Sequence, residues 1–310
     1  MSKPFLFLCL FVGTVSIYSQ NQNIAQRLGY PADAKLLIIH ADDLGVAHSQ
    51  NRATFEQLKA GPVNSASIMV PCPWFAEVVT YAQNNQNLDL GLHLTLTSEW
   101  KHYKWASITA KDSVPSLLDD NGYFYPEVPE FMAHAITGEV EAEMRNQIKK
   151  AYRSGIDVTH LDAHMGAAVS TAEFTGAYMK LGKEFRLPVL LDARVFEMDH
   201  PVIKSSLDEN TIILDHIFTI LPQQFLKGSR SYYVDLLNNL PSGLNCLLIH
   251  LAFDDPEMQG ITIDHPEWGA AWRQADFDFF NGPECAQLIK ENNIILVTWR
   301  ELRDKIVRSE

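Results

Sequence analysis

The feature that most constrains this chain is an alternation that begins at Lys35, where short β-branched apolar runs take turns with longer stretches whose apolar residues recur every three or four positions. Runs of the first kind suit strands buried on both faces, and stretches of the second kind suit amphipathic helices. Repeating the pair calls for parallel strands joined by helical crossovers. The runs Lys35–His40, Ser65–Val70, Leu88–Leu96, Val158–His164, Pro188–Asp192, Thr211–Ile217, Asn245–Leu251 and Ile294–Thr298 supply eight candidate strands. Between them, Ser49–Ala60, Trp74–Gln83, Glu139–Tyr152, Thr171–Phe185, Gln223–Asn238 and Pro283–Glu291 read as helices. The expected fold is α/β, a distorted TIM-like (β/α) barrel with its active site at the C-terminal ends of the strands. No Gly-, Ser- or Pro-rich linker and no fixed-period repeat divides it, so residues 21–310 are expected to form one domain.

Two connections, Thr97–Glu130 and Ala252–Asn281, are too long for simple turns. Both follow strands and so belong to the catalytic face, where long loops in compact domains usually have work to do. They carry Trp100, Tyr103, Trp105, Tyr123, Tyr125, Trp268 and Trp272. Aromatic faces of this kind suit sugar rings, although each residue alone could equally pack its loop down. A net charge of -13 argues against nucleic acid as a partner.

The first twenty residues, with Lys3, the apolar run Phe5–Ile17 and then Ser19 and Gln20, have the layout of a secretory signal peptide over residues 1–20. The run is shorter than the ~20 apolar residues that span a bilayer, so stable membrane insertion is not expected and an exported, periplasmic or extracellular protein is. Cleavage removes Cys9 and leaves Cys72, Cys246 and Cys285, without metal or redox spacing, as buried thiols.

Four strand ends carry polar groups able to do chemistry. LLIIHADDLG ends in the pair Asp42 and Asp43, of which one carboxylate could hold a metal and the other a proton. GLHLTLT contains His93, and THLDAHMG sets His160, Asp162 and His164 on one strand face by period-two geometry. LNCLLIHLAF ends in His250, whose imidazole could donate a proton. Each has a plainer reading on its own: a turn for the aspartates, satisfied core or strand-end histidines for the rest. Their convergence on one end of one barrel is what favours chemistry, and an aspartate with two histidines is a common open metal site. The residues alone leave open a metal-dependent hydrolase of another amide or a phosphate ester, and an exported sugar-binding barrel without catalysis.

In the order ADDLG, GLHLTLT, THLDAHMG and IHLAF the chain resembles the YdjC-like carbohydrate deacetylase family over about Lys35–Arg300. The resemblance implies a metal-dependent hydrolase that removes N-acetyl groups from an amino sugar or short oligosaccharide. It matches Asp43, His93 and His164 to metal ligands, Asp42 to the catalytic base and His250 to the general acid. Arg194 resembles a family arginine that orients the base, and His160 falls beside the ligand motif. One divalent cation is implied: zinc by ligand type, magnesium by family association. The chain departs from the pattern after His164, where Met165, Gly166 and Ala167 replace further histidines and weaken any inference of chitobiose-like specificity.

Overall fold

A computed structural model describes residues 22–309. The proposed signal segment lies outside the described residues. Seven strands form one parallel sheet: β1 (Lys35–Leu44), β2 (Ser65–Ile68), β3 (Leu90–Leu94), β4 (Leu161–Ala163), β5 (His216–Thr219), β6 (Gly243–Ile249) and β7 (Ile294–Leu296), in the order β4-β3-β2-β1-β6-β5 with β7 also paired to β1. β1 is the hub. It pairs with β6 along Lys35–Ala41, with β7 at Lys35–Leu37 and with β2 from His40 onward.

The sheet curls into the expected distorted barrel, but its closure is thin. Between β4 and β5 the chain is joined only through the single bridges Leu161↔Val189 and Asp192↔Leu214. The expected strand Pro188–Asp192 is therefore not a full ladder strand. Pro188 has no N–H to give, and its carbonyl instead accepts from Leu161 N at 3.0 Å. The expected strand Thr211–Ile217 starts late, at His216, because the Asp215 side chain takes the Leu244 N–H at 2.7 Å.

Alternation along β1 divides the core. Leu37, Ile39 and Ala41 face outward under the helices, whereas Leu36 and Ile38 face the barrel interior with Ala25, Leu28, Trp299, Leu302 and Ile306. Continuing inward by twos brings His40 and then Asp42, so an apolar plug gives way to a polar floor toward the strand ends. The outer helices bury what their spacing promised. In Phe75–Asn84 the residues Phe75, Val78 and Ala82 are buried, and each fully buried large side chain contributes about 1.5–3 kcal/mol.

Three further expected elements differ. The strand expected over Val158–His164 is confined to Leu161–Ala163, and His164 opens a short 3-10 helix. Gln223–Asn238 is two helices, Pro222–Phe225 and Ser229–Asn238, separated at Gly228, whose φ of 111° no regular helix accommodates. The connection expected as a loop over Ala252–Asn281 contains the helices Pro256–Ile261 and Ala270–Asn281. The second buries Trp272, Phe277, Phe279 and Phe280 together with the polar Arg273 and Asp276, a mixed pattern that conceals its periodicity. The three remaining cysteines are free and buried as expected.

Candidate active site

The strand ends open onto a cavity of about 520 Å³ lined by Asp42, Asp43, His93, Asp162, His164 and His250, walled by Trp100 and Trp268 among others. Adjacent residues of a regular strand point to opposite faces, yet Asp42 and Asp43 both line this cavity. The backbone explains it. The β1–β2 register shifts between Ala41 and Leu44, Asp43 adopts a left-handed φ of 66° and Gly45 a φ of 100°. Aspartate tolerates that conformation better than most residues, so the turn brings the second carboxylate back over the barrel mouth.

Asp43, His93 and His164 each offer one atom within 4.8 Å of the other two. His93 Nε2 and His164 Nδ1 both stand 3.4 Å from Asp43 Oδ1, a buried oxygen with no hydrogen-bond partner. The opposite nitrogens are engaged elsewhere: His93 Nδ1 with Asp162 Oδ2 at 2.7 Å, His164 Nε2 with Glu99 Oε2 at 3.0 Å. A carboxylate behind each imidazole turns the ring's other nitrogen toward Asp43, as outer partners of metal-bound histidines do. One carboxylate oxygen facing two ring nitrogens is the donor set a small divalent cation satisfies once it displaces the proton on His164, so these residues fit one.

Asp42 lies alongside, with Oδ2 3.8 Å from His250 Nε2. Burial, then the charges of Asp162 and Asp43, hold the Asp42 carboxyl well above the usual range. For Asp43, burial acts upward but Arg273 and the neighbouring histidines outweigh it, and the carboxyl is held well below that range. His250 is pushed down to about 3, chiefly by burial, so its imidazole is neutral at neutral pH. Its backbone N–H donates to Asp276 Oδ2 at 3.1 Å.

Among the residues picked out from sequence, Asp42, Asp43, His93, His164 and His250 come together. His160 does not reach the cavity: it lies one layer deeper, its ring stacked on Trp299 at 5.0 Å and edge-on to His40 at 4.9 Å. Arg194 is also away from the site, exposed and paired with its neighbour Asp192 at 2.8 Å. The arginine at the site is Arg273, which donates to Asp43 Oδ2 at 2.7 Å, to Gln50 Oε1 at 2.9 Å and to the Trp268 carbonyl at 2.5 Å. It was hidden in the segment read as loop. Glu99 was missed too, since a glutamate between a serine and a tryptophan carries no local signal.

The loop aromatics separate into two groups. Trp100 and Trp268 line the cavity, and the Arg273 guanidinium lies 5.5 Å from the Trp100 ring. Trp105 and Trp272 are buried, Tyr103 donates its hydroxyl to the Val46 carbonyl, and Tyr125 stacks on His134. Tyr123 is exposed and does not line the cavity. Trp268 holds a left-handed φ of 52°, and its ring stacks on Trp272, which stacks on Phe225.

A family model described as YdjC-like protein matches residues 36–291. A carbohydrate deacetylase of Thermus thermophilus is 30% identical over 301 residues, covering 92% of this chain and 99% of the relative. A carbohydrate deacetylase of Thermoanaerobacter pseudethanolicus is 27% identical over 270 residues, covering 87% and 100%. A solved structure from Enterococcus faecalis, described as a cellobiose-phosphate cleavage protein, aligns with a TM-score of 0.73 at 24% identity, over 87% of this chain and 99% of that one, and shares the fold.

Proposed function

The chain belongs to the YdjC-like family, and from that premise we propose that it is a metal-dependent hydrolase that removes the N-acetyl group from an amino sugar or short oligosaccharide, releasing acetate. The observation that carries the reading is the convergence of His93 Nε2 and His164 Nδ1 on Asp43 Oδ1, at the floor of a cavity lined by Trp100 and Trp268.

Asp43, His93 and His164 would hold the cation, and one carboxylate oxygen with two imidazole nitrogens favours zinc over the oxygen-preferring magnesium. Bound there, the ion would supply Lewis acidity toward the acetamide carbonyl. Asp42 takes a proton from the attacking water through Oδ2, the oxygen facing His250. Its raised proton affinity suits a base that must hold the proton while the carbonyl carbon is attacked. His250 starts the cycle neutral, so the proton it delivers to the leaving nitrogen is one it gains during the reaction, with Asp42 Oδ2 3.8 Å away as the nearest donor. Trp268, partly exposed at the cavity wall, presents a flat apolar face to the sugar ring, while Trp100 is buried in the wall against Arg273.

Acetate release from N-acetylated mono- and oligosaccharides, with and without chelator and beside Asp42→Asn, tests the proposal. Chelator-sensitive release lowered about 100-fold or more in the variant is expected for loss of the base. Metal-loaded protein that releases no acetate while cleaving a different amide or a phosphate ester refutes it. Lys3 and the apolar run after it support operation outside the cytoplasm on residues 21–310. N-terminal sequencing of the secreted or periplasmic protein should begin near position 21, and recovery only as the full chain in the cytoplasm would refute export.

A further inference from the structure

The mechanism above gives His40 no task, although this fully buried histidine lies directly beneath Asp42 on the inward face of β1. Register pairs it with Ser65 on β2, and both ring nitrogens are engaged there: Nδ1 with Ser65 Oγ at 2.8 Å, Nε2 with Ser67 Oγ at 3.1 Å. Ser67 Oγ donates its own hydrogen to Asp162 Oδ2 at 3.1 Å. With that hydrogen committed, the Ser67 oxygen is left to accept, which places a proton on Nε2.

Beyond its bond to Ser67, the Nε2 atom stands 3.3 Å from Asp42 Oδ1 and 3.4 Å from Asp162 Oδ2. The edge of the ring that carries this proton therefore lies between two buried carboxyl groups. Asp42 Oδ1 has no hydrogen bond of ordinary geometry and has His40 Nε2 3.3 Å away, with Asp162 beside it, while Oδ2 is turned to His250. Behind His40 the rings of His160 and Trp299 leave it no room to withdraw.

We propose that His40 is a positioning residue for the base: its Nε2–H spans Asp42 Oδ1 and Asp162 Oδ2, which keeps Asp42 Oδ2 facing the substrate and Asp162 braced against His93. This rests on the deacetylase reading of the site. It also assigns to hydrogen bonding a group of three residues, His40, Asp42 and Asp162, whose ligand atoms lie as close together as those of the cation triad.

The test compares His40→Met with His40→Gln, side chains of equal length that differ in carrying a donor at the far end. Each is measured for kcat and KM on the N-acetylated mono- or oligosaccharide from which the wild-type chain releases acetate fastest, for zinc stoichiometry and affinity by calorimetry, and for thermal midpoint. His40→Met should lose about 10- to 100-fold in kcat, the lower part of the range for impaired general-base catalysis, with KM and zinc affinity within about threefold. His40→Gln should recover most of that loss. If His40→Met does not fold, His40→Phe, which keeps a ring without a donor, takes its place against His40→Gln. Wild-type kcat in the donor-free variant overturns the proposal, as does a glutamine variant no faster than it. So does a wild-type stoichiometry of two zinc ions falling to one, which would make His40 a ligand. A zinc-loaded wild-type chain that releases no acetate refutes the deacetylase reading instead, a different failure.

Discussion

His93 and His164 present opposite nitrogens to the same aspartate, and the choice is made by the carboxylate behind each ring. For His164 that arrangement has a measurable cost in the metal-free protein. Burial disfavours the protonated ring, but Glu99 and Asp43 outweigh it and push the pKa up to about 10. The sign follows directly: without metal, the protonated ring contributes stability that is complete below its unfolded value of ~6.5 and is lost as pH rises through about 10. A cation must displace that proton. Zinc titration at pH 7.5 in buffers of different ionisation enthalpy should therefore show about one proton released per ion, with affinity rising about tenfold per pH unit between 7 and 9. Glu99→Gln should reduce the release. No dependence on buffer would refute this account of His164. At this scale the sequence was informative about residues at strand ends and silent about those acting through them. Asp42, Asp43, His93, His164 and His250 stand in recognisable runs. Glu99 and Arg273 matter only because the folded chain returns them to His164 and Asp43, 65 and 230 residues away.

Elements carry the second kind of information, and here close approach decides. Gly91 on β3 faces the His160 ring, and a Cβ there would stand 2.3 Å from it. His160 cannot yield, being enclosed by Trp299 and His40. Gly91→Ala should therefore destabilise the protein by about 1–3 kcal/mol, the usual cost of overpacking, read as a lowered denaturant midpoint with unchanged m. An unchanged midpoint would mean that the histidine layer is looser than its packing indicates. Strand and helix order from Lys35 to Leu94 was legible because short apolar runs mark its strands at regular intervals, whereas the helix Val128–His134 went unread beside the connection expected as a loop. Legibility failed where polar residues are buried in mid-element. Arg273 and Asp276 interrupt the apolar face of Ala270–Asn281, and both are satisfied by partners from other parts of the chain, Asp43 and Tyr233. No periodicity announces such a helix, since its burial depends on contacts its own sequence does not contain.

At the scale of the molecule, the barrel is unevenly fastened. β1 and β6 pair over seven consecutive registers, whereas the side between β4 and β5 is held by two isolated bridges. Backbone hydrogen exchange should map this contrast, with the amides of Leu190 and Leu214 exchanging on the order of tenfold or more faster than those of Ile38 and His40. Equal protection would show that the two sides open together. The barrel as a class was legible from the alternation, but its asymmetry was not, because single bridges and a full ladder grow from equally apolar runs. Asp162 and His164, on β4 and just after it, border the weakly fastened side, but Asp42, Asp43, His93, Glu99 and His250 stand on β1, β3 and β6 or the turns that follow them, and no residue lining the cavity lies in the chain from Pro188 to Leu214 that forms the seam. Chain within that stretch can be lengthened, trimmed or re-routed without replacing a residue of the cavity. A lineage of such proteins is free to remodel this flank while inheriting the same cluster of carboxylates and imidazoles.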